Sequence, residues 1–288
     1  MPNPPRSAPL NGFDLLALEG PDALAFAQAQ FCNDVRALEV GQWQWSGWLT
    51  PKGRVQALFA LLRTGEDALW LVLPDAPAAT LAEGLGRFVF RSKLTLHQPT
   101  DWVVCGTMDT PHAELPHQAG GDAREGWRLD FGGDGGGRTL HLLRREAAAP
   151  EADAGLDAAW RRFDIQHGLP RLAFDAEHGW TPQMLSLDRL GAYSVKKGCY
   201  PGQEIVARTH FLGQAKRGLV RLRSPAVLPA HAEVVDAGGR ALGPLVCVAN
   251  DADGSEALAV VPLQTPADGM HVAGTRVEPT PVLGGLRR

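Results

Sequence analysis

A chain of 288 residues, 44% hydrophobic and 21% charged, has the composition of a soluble globular protein and is long for one core, so two or three domains are expected. Its net charge of -4 excludes a generic nucleic-acid binder while leaving room for a local basic groove, and no direct nucleic-acid binding is expected. The scattered cysteines Cys32, Cys105, Cys199 and Cys247 form neither a disulfide framework nor a metal-ligand set, and no apolar run reaches the roughly 18 residues of a membrane span, so the expectation is a cytoplasmic protein with no metal and no membrane.

In chain order, the proline-rich residues 1–10 read as disordered. Phe13 to Leu18 reads as a strand. Pro21 and Asp22 then start a helix whose face carries Leu24, Ala27 and Phe31 and which ends near Cys32 and Asn33. Cys32 packs against that face, and Asn33 and Asp34 either turn the chain or serve a site. Trp43 to Thr50 and Val55 to Leu62 are strands joined by the turn Pro51-Lys52-Gly53-Arg54. The parity of Trp43, Trp45 and Trp48 places them on two faces, so at least one is expected at solvent or a ligand. A strand at Ala68 to Leu73, an amphipathic helix at Ala78 to Val89, and strands at Leu94 to Leu96, Trp102 to Met108, Trp127 to Phe131 and Thr139 to Leu143 complete an α+β unit, with Cys105 in its core.

The glycine-rich tract from Gly132 to Gly137 lacks the Lys-Ser/Thr ending of a phosphate loop and reads as a flexible hairpin loop. After a connection at Ala147 to Gly155, Asp153 and Asp157 open a helix with an apolar stripe at Leu156, Trp160, Phe163 and His167, stopped by Gly168 and Pro170. His167 reads as structural and partly buried. Arg161 and Arg162 flank the stripe, on a solvated face or facing an anionic ligand. From Gly218 to Pro279, short β runs separated by Gly, Pro and Asp suggest a small barrel or sandwich, with Cys247 in its core; Gly284 to Arg288 reads as frayed.

The stretch from Gly191 to Gly218 is the most particular. Lys196, Lys197, Gly198, Cys199, Tyr200, Pro201, Gly202, Gln203, Glu204 and Arg208 set two ammoniums, a thiol, a phenol, an amide, a carboxylate and a guanidinium within thirteen positions. Pro201-Gly202 is a turn signal that puts Cys199 on a loop, and neighbouring lysines favour its thiolate. Gln203 to His210 alternates, and reads either as a short strand or as the first turn of a helix. A plain surface turn needs only Pro201 and Gly202, so the other groups call for a further reason.

The run KKGCYPGQEIVAR, together with TPQMLSLDRLGAYSV before it and LGQAKRGL after it, resembles the signature of the YgfZ-type folate-binding proteins, relatives of the aminomethyltransferase of glycine cleavage. FAQAQFCNDV, WLTPKGRV and FDIQHGLPRL agree in the family's order. The resemblance implies an α+β, three-domain aminomethyltransferase-like architecture around a central folate cavity, ending in a small β-barrel. Its domains would be 10–48 joined to 150–211, which carries the KGCY loop, then 49–149, then 212–288. It also implies tetrahydrofolate or a one-carbon derivative as cofactor, and a role supporting iron–sulfur cluster assembly or repair, and hence tRNA modification. Its partners would be iron–sulfur proteins or their assembly factors.

A folate presents a planar pterin, hydrogen-bonding ring edges and an anionic tail. Chemistry and resemblance together nominate Asn33, Asp34, Gln203 and Glu204 for the ring edges, Tyr200 or a tryptophan for stacking, and Lys52, Arg54 and Arg208 for the tail. Cys199 and Lys197 are the expected catalytic pair. The alternative is a folate-dependent one-carbon transferase in which Asp75 or Glu204 supplies the carboxylate. Against it, the segment PDAPAATLAE sets Ala, Thr or Leu where true aminomethyltransferases carry their catalytic aspartate. Those enzymes also lack the cysteine of KGCY at the matching place. One cysteine cannot hold a cluster that takes four protein ligands, so any cluster at Cys199 needs a partner, a second copy or a small thiol.

Overall fold

The computed structural model describes residues 7–108, 117–148, 151–172, 179–213, 215–266 and 268–288. The chain runs β1 (Ala8–Pro9), β2 (Phe13–Glu19), α1 (Ala23–Gln30), β3 (Trp43–Leu49), β4 (Val55–Gly65), β5 (Ala68–Pro74), α2 (Ala78–Gly86) and β6 (Thr95–His97). It continues through β7 (Trp102–Thr107), β8 (Gly120–Asp122), β9 (Gly126–Asp130), β10 (Thr139–Arg144), α3 (Ala154–Gln166) and α4 (Gln203–Leu212). The C-terminal strands are β11 (Arg217–Ser224), β12 (Glu233–Val235), β13 (Ala241–Asp251), β14 (Gly254–Pro262), β15 (His271–Val272), β16 (Thr275–Arg276) and β17 (Glu278–Thr280).

Three antiparallel sheets carry these strands, in the orders β3-β4-β5-β2-β6, β1-β7-β10-β9-β8 and β16-β15-β12-β13-β14-β11-β17. The first sheet is apolar on both faces, because successive side chains of a strand point opposite ways and both sets are covered. One face packs Leu16, Leu18, Phe59, Leu61 and Leu71 under the two helices α1 and α2, through Phe26, Leu81 and Leu85. The other shares a core of Trp43, Trp45, Trp70 and Val72 with Trp102, Leu129 and Leu140 of the second sheet, Phe131 just after β9, and Trp160 of α3. The third sheet, seven strands that nearly close on themselves, has its own core around Leu222, Val234, Leu245 and Ala259. The β3–β4 hairpin crosses residue 48, where the expected first domain hands over to the second.

Several expectations change here. Trp43, Trp45 and Trp48 are all buried, since both faces of β3 are covered. Residues 1–6 lie outside the described residues, but Ala8–Pro9 pair with β7 and Leu10 is buried, so this part of the N-terminal stretch is ordered by sheet pairing. Gly284 to Arg288 is docked rather than frayed. Leu286 is buried and its carbonyl accepts from Trp45 Nε1 at 2.8 Å, while Arg288 Nη2 donates to the carbonyls of Asp130 at 2.7 Å and Gly132 at 2.8 Å. The glycine tract meets this tail, with Asp134 N–H donating to Gly284 O at 3.1 Å. Cys247 is half-buried on β13 and packs, as a core residue, against the main core rather than the barrel's own.

Candidate functional site

Lys197 shows how the signature loop is held. Its side chain is buried, and Nζ donates to the carbonyls of Gln28 and Phe31 in the last turn of α1, where unpaired carbonyls and the helix dipole favour a cation. The ring of Tyr200 lies 5.0 Å from the same nitrogen. Burial pulls Lys197 down to about 8, against the upward pull of Cys32 and Asp34, and Arg36 adds a like charge nearby. Ser194 sets the preceding turn: its N–H donates to Cys32 O at 2.8 Å and its hydroxyl accepts from the N–H groups of Lys196 and Lys197 at 3.2 and 3.1 Å. Tyr200 is buried and its hydroxyl donates to Ser194 O at 3.1 Å.

Asn33 fixes the start of the same stretch. Its amide Nδ2 donates to Trp45 O at 2.8 Å and to Gly191 O at 2.7 Å, and its Oδ1 accepts from Asp34 N–H at 2.9 Å. Both N–H groups are thereby committed to the protein, leaving none for a ring edge. The Asp34 carboxylate caps the single turn Val35–Ala37, accepting from Arg36 N–H at 3.2 Å and from Gln28 Nε2 at 3.1 Å. Cys32 is buried between these elements, with Sγ against Ala192 O at 3.3 Å, and burial pushes its thiol up to about 12.

Gln203 to Leu212 resolves to the helix α4, and a long-range contact decides the matter. Gly202 has φ +80° and sits backbone to backbone on the β3–β4 turn, where a Cβ would lie 2.6 Å from both Gly53 Cα and Thr50 O. A Cβ on Gly53, at φ +68°, would in turn lie 2.9 Å from Ile205 Cβ. Only glycines permit that approach. Gln203 Nε2 donates to Lys197 O at 3.1 Å and Gln183 Nε2 to Val206 O at 2.9 Å, tying the helix to the loop and to the segment before it.

The expected site residues thus fall into two layers. Asn33, Asp34, Lys197, Tyr200 and Gln203 form an inner set that fastens the loop to α1 and α4. Cys199, Lys52, Glu204 and Arg208 are exposed around it, with Arg54 half-buried. Among the four cysteines, Cys199 is the exposed one, whereas burial pushes Cys105 up to about 11 and Cys247 to about 12. The lysine that the sequence sets beside Cys199 points away from solvent, into the end of α1.

Sequence reasoning missed a second cluster of charge. Arg138, wholly buried, pairs with Asp164 at 2.6 Å; Asp164 meets Arg171 at 3.4 Å; Arg171 meets Asp75 at 2.9 Å; and Asp75 meets Arg161 at 3.1 Å. Arg161 also pairs with Asp157, while Arg162 pairs with Asp251 and Glu256, so both arginines beside the α3 stripe are occupied. Asp75 receives two guanidiniums and Glu83 pairs with Arg87, so neither acid of the 75–83 segment stands free. An arginine at the start of an otherwise apolar strand, as in RTLHLL, was the signal available. His167 is structural as expected: buried, stacked on Phe163 at 3.8 Å, with its nitrogens 2.9 and 3.0 Å from the carbonyls of Phe163 and Asp134.

No family model matches the chain. It is 29% identical over 249 residues to the tRNA-modifying protein YgfZ of Vibrio vulnificus, covering 81% of this chain and 74% of that protein. It is 28% identical over 226 residues to the protein of the same name from Cronobacter sakazakii, covering 73% and 68%. An uncharacterized protein of Haemophilus influenzae is 26% identical over 211 residues, 73% of this chain and 70% of the other. Among solved structures, the glycine cleavage system aminomethyltransferase T of Bartonella henselae superposes with a TM-score of 0.74 at 18% identity, covering 97% of this chain and 85% of that one. Among the described residues no helix is long and apolar enough to cross a membrane. Over most of its length the chain is thus similar in sequence to proteins named tRNA-modifying protein YgfZ, and it shares its fold with an aminomethyltransferase.

Proposed function

We propose that this chain is a folate-binding accessory protein that supports iron–sulfur cluster assembly or repair, and through it tRNA modification, with Cys199 as its working thiol. One observation carries the reading: the exposed cysteine sits on a loop that Lys197, Tyr200, Ser194 and Asn33 hold rigidly from below. A thiol presented on a fixed crest can meet a partner's cluster or sulfur without first being ordered. Partners would be iron–sulfur proteins or the factors that load them.

The residues fit a folate in part. Lys52, Arg54 and Arg208 form no ion pair among the described residues and can meet a glutamate tail, and Glu204 is an exposed carboxylate able to accept from a pterin edge. Asn33, Asp34 and Tyr200 hold the loop instead. Tetrahydrofolate or a one-carbon derivative would supply a one-carbon unit or a reduced ring there. The transferase alternative is narrowed to Glu204 as its acid, because Asp75, its other candidate, is held by Arg161 and Arg171.

The test is complementation of cells lacking the native protein, scored by an iron–sulfur enzyme's activity, with calorimetric titration of reduced folates as an independent readout. Full rescue by Cys199→Ala removes the thiol role. An absence of heat and of thermal shift at millimolar reduced folate removes the cofactor, since a ligand at about 100 times its Kd stabilises by roughly 2.7 kcal/mol.

A further inference from the structure

Residues 281–288 follow the barrel strand β17 and belong to no helix or strand, yet the main body holds them along their length. Leu283 N–H donates to Gln166 O at 2.9 Å at the end of α3, and its carbonyl accepts from Arg189 Nη2 at 2.7 Å. Gly284 exchanges two hydrogen bonds with Asp134, donating to its carboxylate and accepting from its N–H, each at 3.1 Å. Arg288 N–H donates to Leu190 O at 3.4 Å, beside the head of the signature stretch. The glycine tract is thus the bed of this segment rather than a free loop.

The hold is mostly polar. Leu286 is the one apolar side chain the segment buries fully, and Leu283 is 36% exposed. The Arg288 side chain is 2% exposed, but the carboxylate it meets, that of Asp130, lies at 3.9 Å. Arg138 and Arg171, as deeply buried, have carboxylates at 2.6 and 2.9 Å. Burial lowers the Arg288 pKa, and Asp130 offsets only part of that. A buried cation met mainly by carbonyls adds little to the stability of the docked state, so the segment is held lightly enough to be displaced.

The space that Arg288 fills has the form of a ring site. Its guanidinium lies over Trp43, 5.4 Å from the ring centre, and Trp43 stacks on Phe131 at 4.9 Å and 11°. Nε donates to Asp130 O at 3.0 Å, and Nη2 donates to Asp130 O at 2.7 Å and Gly132 O at 2.8 Å. Trp45, whose ring meets Trp43 edge to face at 5.5 Å, donates from Nε1 to Leu286 O at 2.8 Å. Two carbonyl acceptors and one N–H donor against an aromatic floor complement a 2-amino-4-oxopyrimidine ring, which is flat and offers two neighbouring N–H donors and one oxygen acceptor. Trp43 Nε1 is a further buried donor, with no partner among the described residues. A glycine at 132 is the residue that lets backbone approach a ligand this closely.

We propose that residues 286–288 close a second ring subsite, floored by Trp43 and edged by Trp45, Asp130 and Gly132, and that a 2-amino-4-oxopyrimidine ring, of a pterin or of a guanine nucleotide, enters it by displacing Arg288. The subsite shares no residue with the set assigned to a folate, so it goes beyond that reading and stands without it.

Calorimetric titration of the full chain with pterin-6-carboxylate, GMP and AMP tests it. The double variant Leu286→Asp with Arg288→Ala releases the segment and should bind pterin-6-carboxylate or GMP about tenfold or more tightly than the parent, because the closed state no longer competes. AMP lacks the two neighbouring donors and should bind neither protein. Adding Trp45→Phe to the double variant removes a donor and should weaken binding by about tenfold. Arg287→Ala changes an exposed side chain and should bind as the parent does. In the parent, saturating ring should speed amide hydrogen exchange from Leu283 to Leu286. Thermal melts check each fold, and Arg288→Ala alone, which keeps Leu286 seated, should raise affinity in the same direction if the double variant does not fold. Tighter binding of pterin-6-carboxylate than of GMP assigns the ring to a pterin, and the reverse order assigns it to a guanine nucleotide. Unchanged or weaker affinity in the released variants, equal binding of AMP, or unaltered exchange in the parent would each overturn the proposal. Glu204→Ala separates it from the folate reading: a ring held in this subsite binds that variant as it binds the parent, and a loss there would place the ring at the folate contacts instead.

Discussion

Arg138 and Lys197 are both buried cations, and the protein treats them in opposite ways. Arg138 has a carboxylate at 2.6 Å, donates to the carbonyls of Phe131 at 2.8 Å and Trp160 at 3.1 Å, and lies over the rings of Trp160 and Phe163 at 4.5 and 4.2 Å. Burial lowers its pKa and Asp164 raises it, and a guanidinium stays charged throughout. Lys197 has two carbonyls and a ring, with no carboxylate in contact. Dipoles offset less of the desolvation cost than a full charge does, so the amine is left able to titrate at about 8. The first arrangement locks three elements together; the second leaves an adjustable charge between the signature loop and the end of α1.

The largest effect is expected where the neutralising partner is removed. Asp164→Leu strips the carboxylate from Arg138 and from Arg171, leaving Arg138 as an unpaired charge in the core; breaking a buried pair this way costs about 3–5 kcal/mol. Urea denaturation should show that loss, and Arg138→Met combined with Asp164→Leu should recover much of it. A loss below about 1 kcal/mol for the single variant would mean that Arg138 is not held as the geometry indicates.

A smaller effect is expected at Lys197. Lys197→Met abandons the Gln28 and Phe31 carbonyls but also relieves the buried charge, so the net loss near pH 7 should be about 1 kcal/mol. The pH dependence is more telling. The folded value of about 8 is depressed from 10.5, so the unfolded chain holds this proton more tightly than the folded one. The penalty is therefore complete below about 8 and is relieved as pH rises toward 10.5, and the parent should gain stability relative to Lys197→Met across that window. Melting curves at several pH values decide it, and parallel curves would show that the amine does not titrate there.

His167 offers a third comparison on the Arg138 side. Burial lowers its pKa from 6.5, more than its carbonyl contacts restore, so the folded state resists protonation. Its contribution is intact above the unfolded value and is lost as pH falls below 6.5, and His167→Gln should flatten the acid limb of the stability profile. An unchanged acid limb in the variant would assign that loss to other groups.

What could be read from the sequence divides along the same line. The helix α3 was legible because its signals are local: Asp153 caps it, accepting from Gly155 and Leu156 N–H at 2.8 and 3.0 Å, and Gly168 ends it at φ +64°. The hairpin at Pro51 to Arg54 was legible for the same reason. Long-range partners were not. The alternation of α4 left strand and helix open until Gly202 met Gly53 across the fold. Lys197 read as a neighbour of Cys199, although its partners lie on α1, and Asn33 read as a ligand contact, although it bonds to Gly191. The C-terminal residues read as frayed because Trp45 and Asp130, which hold them, are far away in sequence.

The smallest stability effect is expected at the proposed working thiol. Cys199→Ala removes an exposed thiol that packs against little, and substitutions at such sites usually fall within about 0.5 kcal/mol. Cys32→Ala should cost more, because Cys32 is buried against Ala192 O and the β3 backbone at Gly47, and filling that space with a smaller group leaves a void. Reactivity should run the other way. At pH 8 an alkylating reagent should modify Cys199 first, since the other three thiols are buried or half-buried and burial holds them between about 11 and 12. Mass spectrometry of the peptides during alkylation, alongside the melting temperatures of the four alanine variants, measures both orders at once. If Cys199 is modified no faster than Cys32, or if its alanine variant melts well below the parent, the loop is part of the core rather than a crest built to present a thiol.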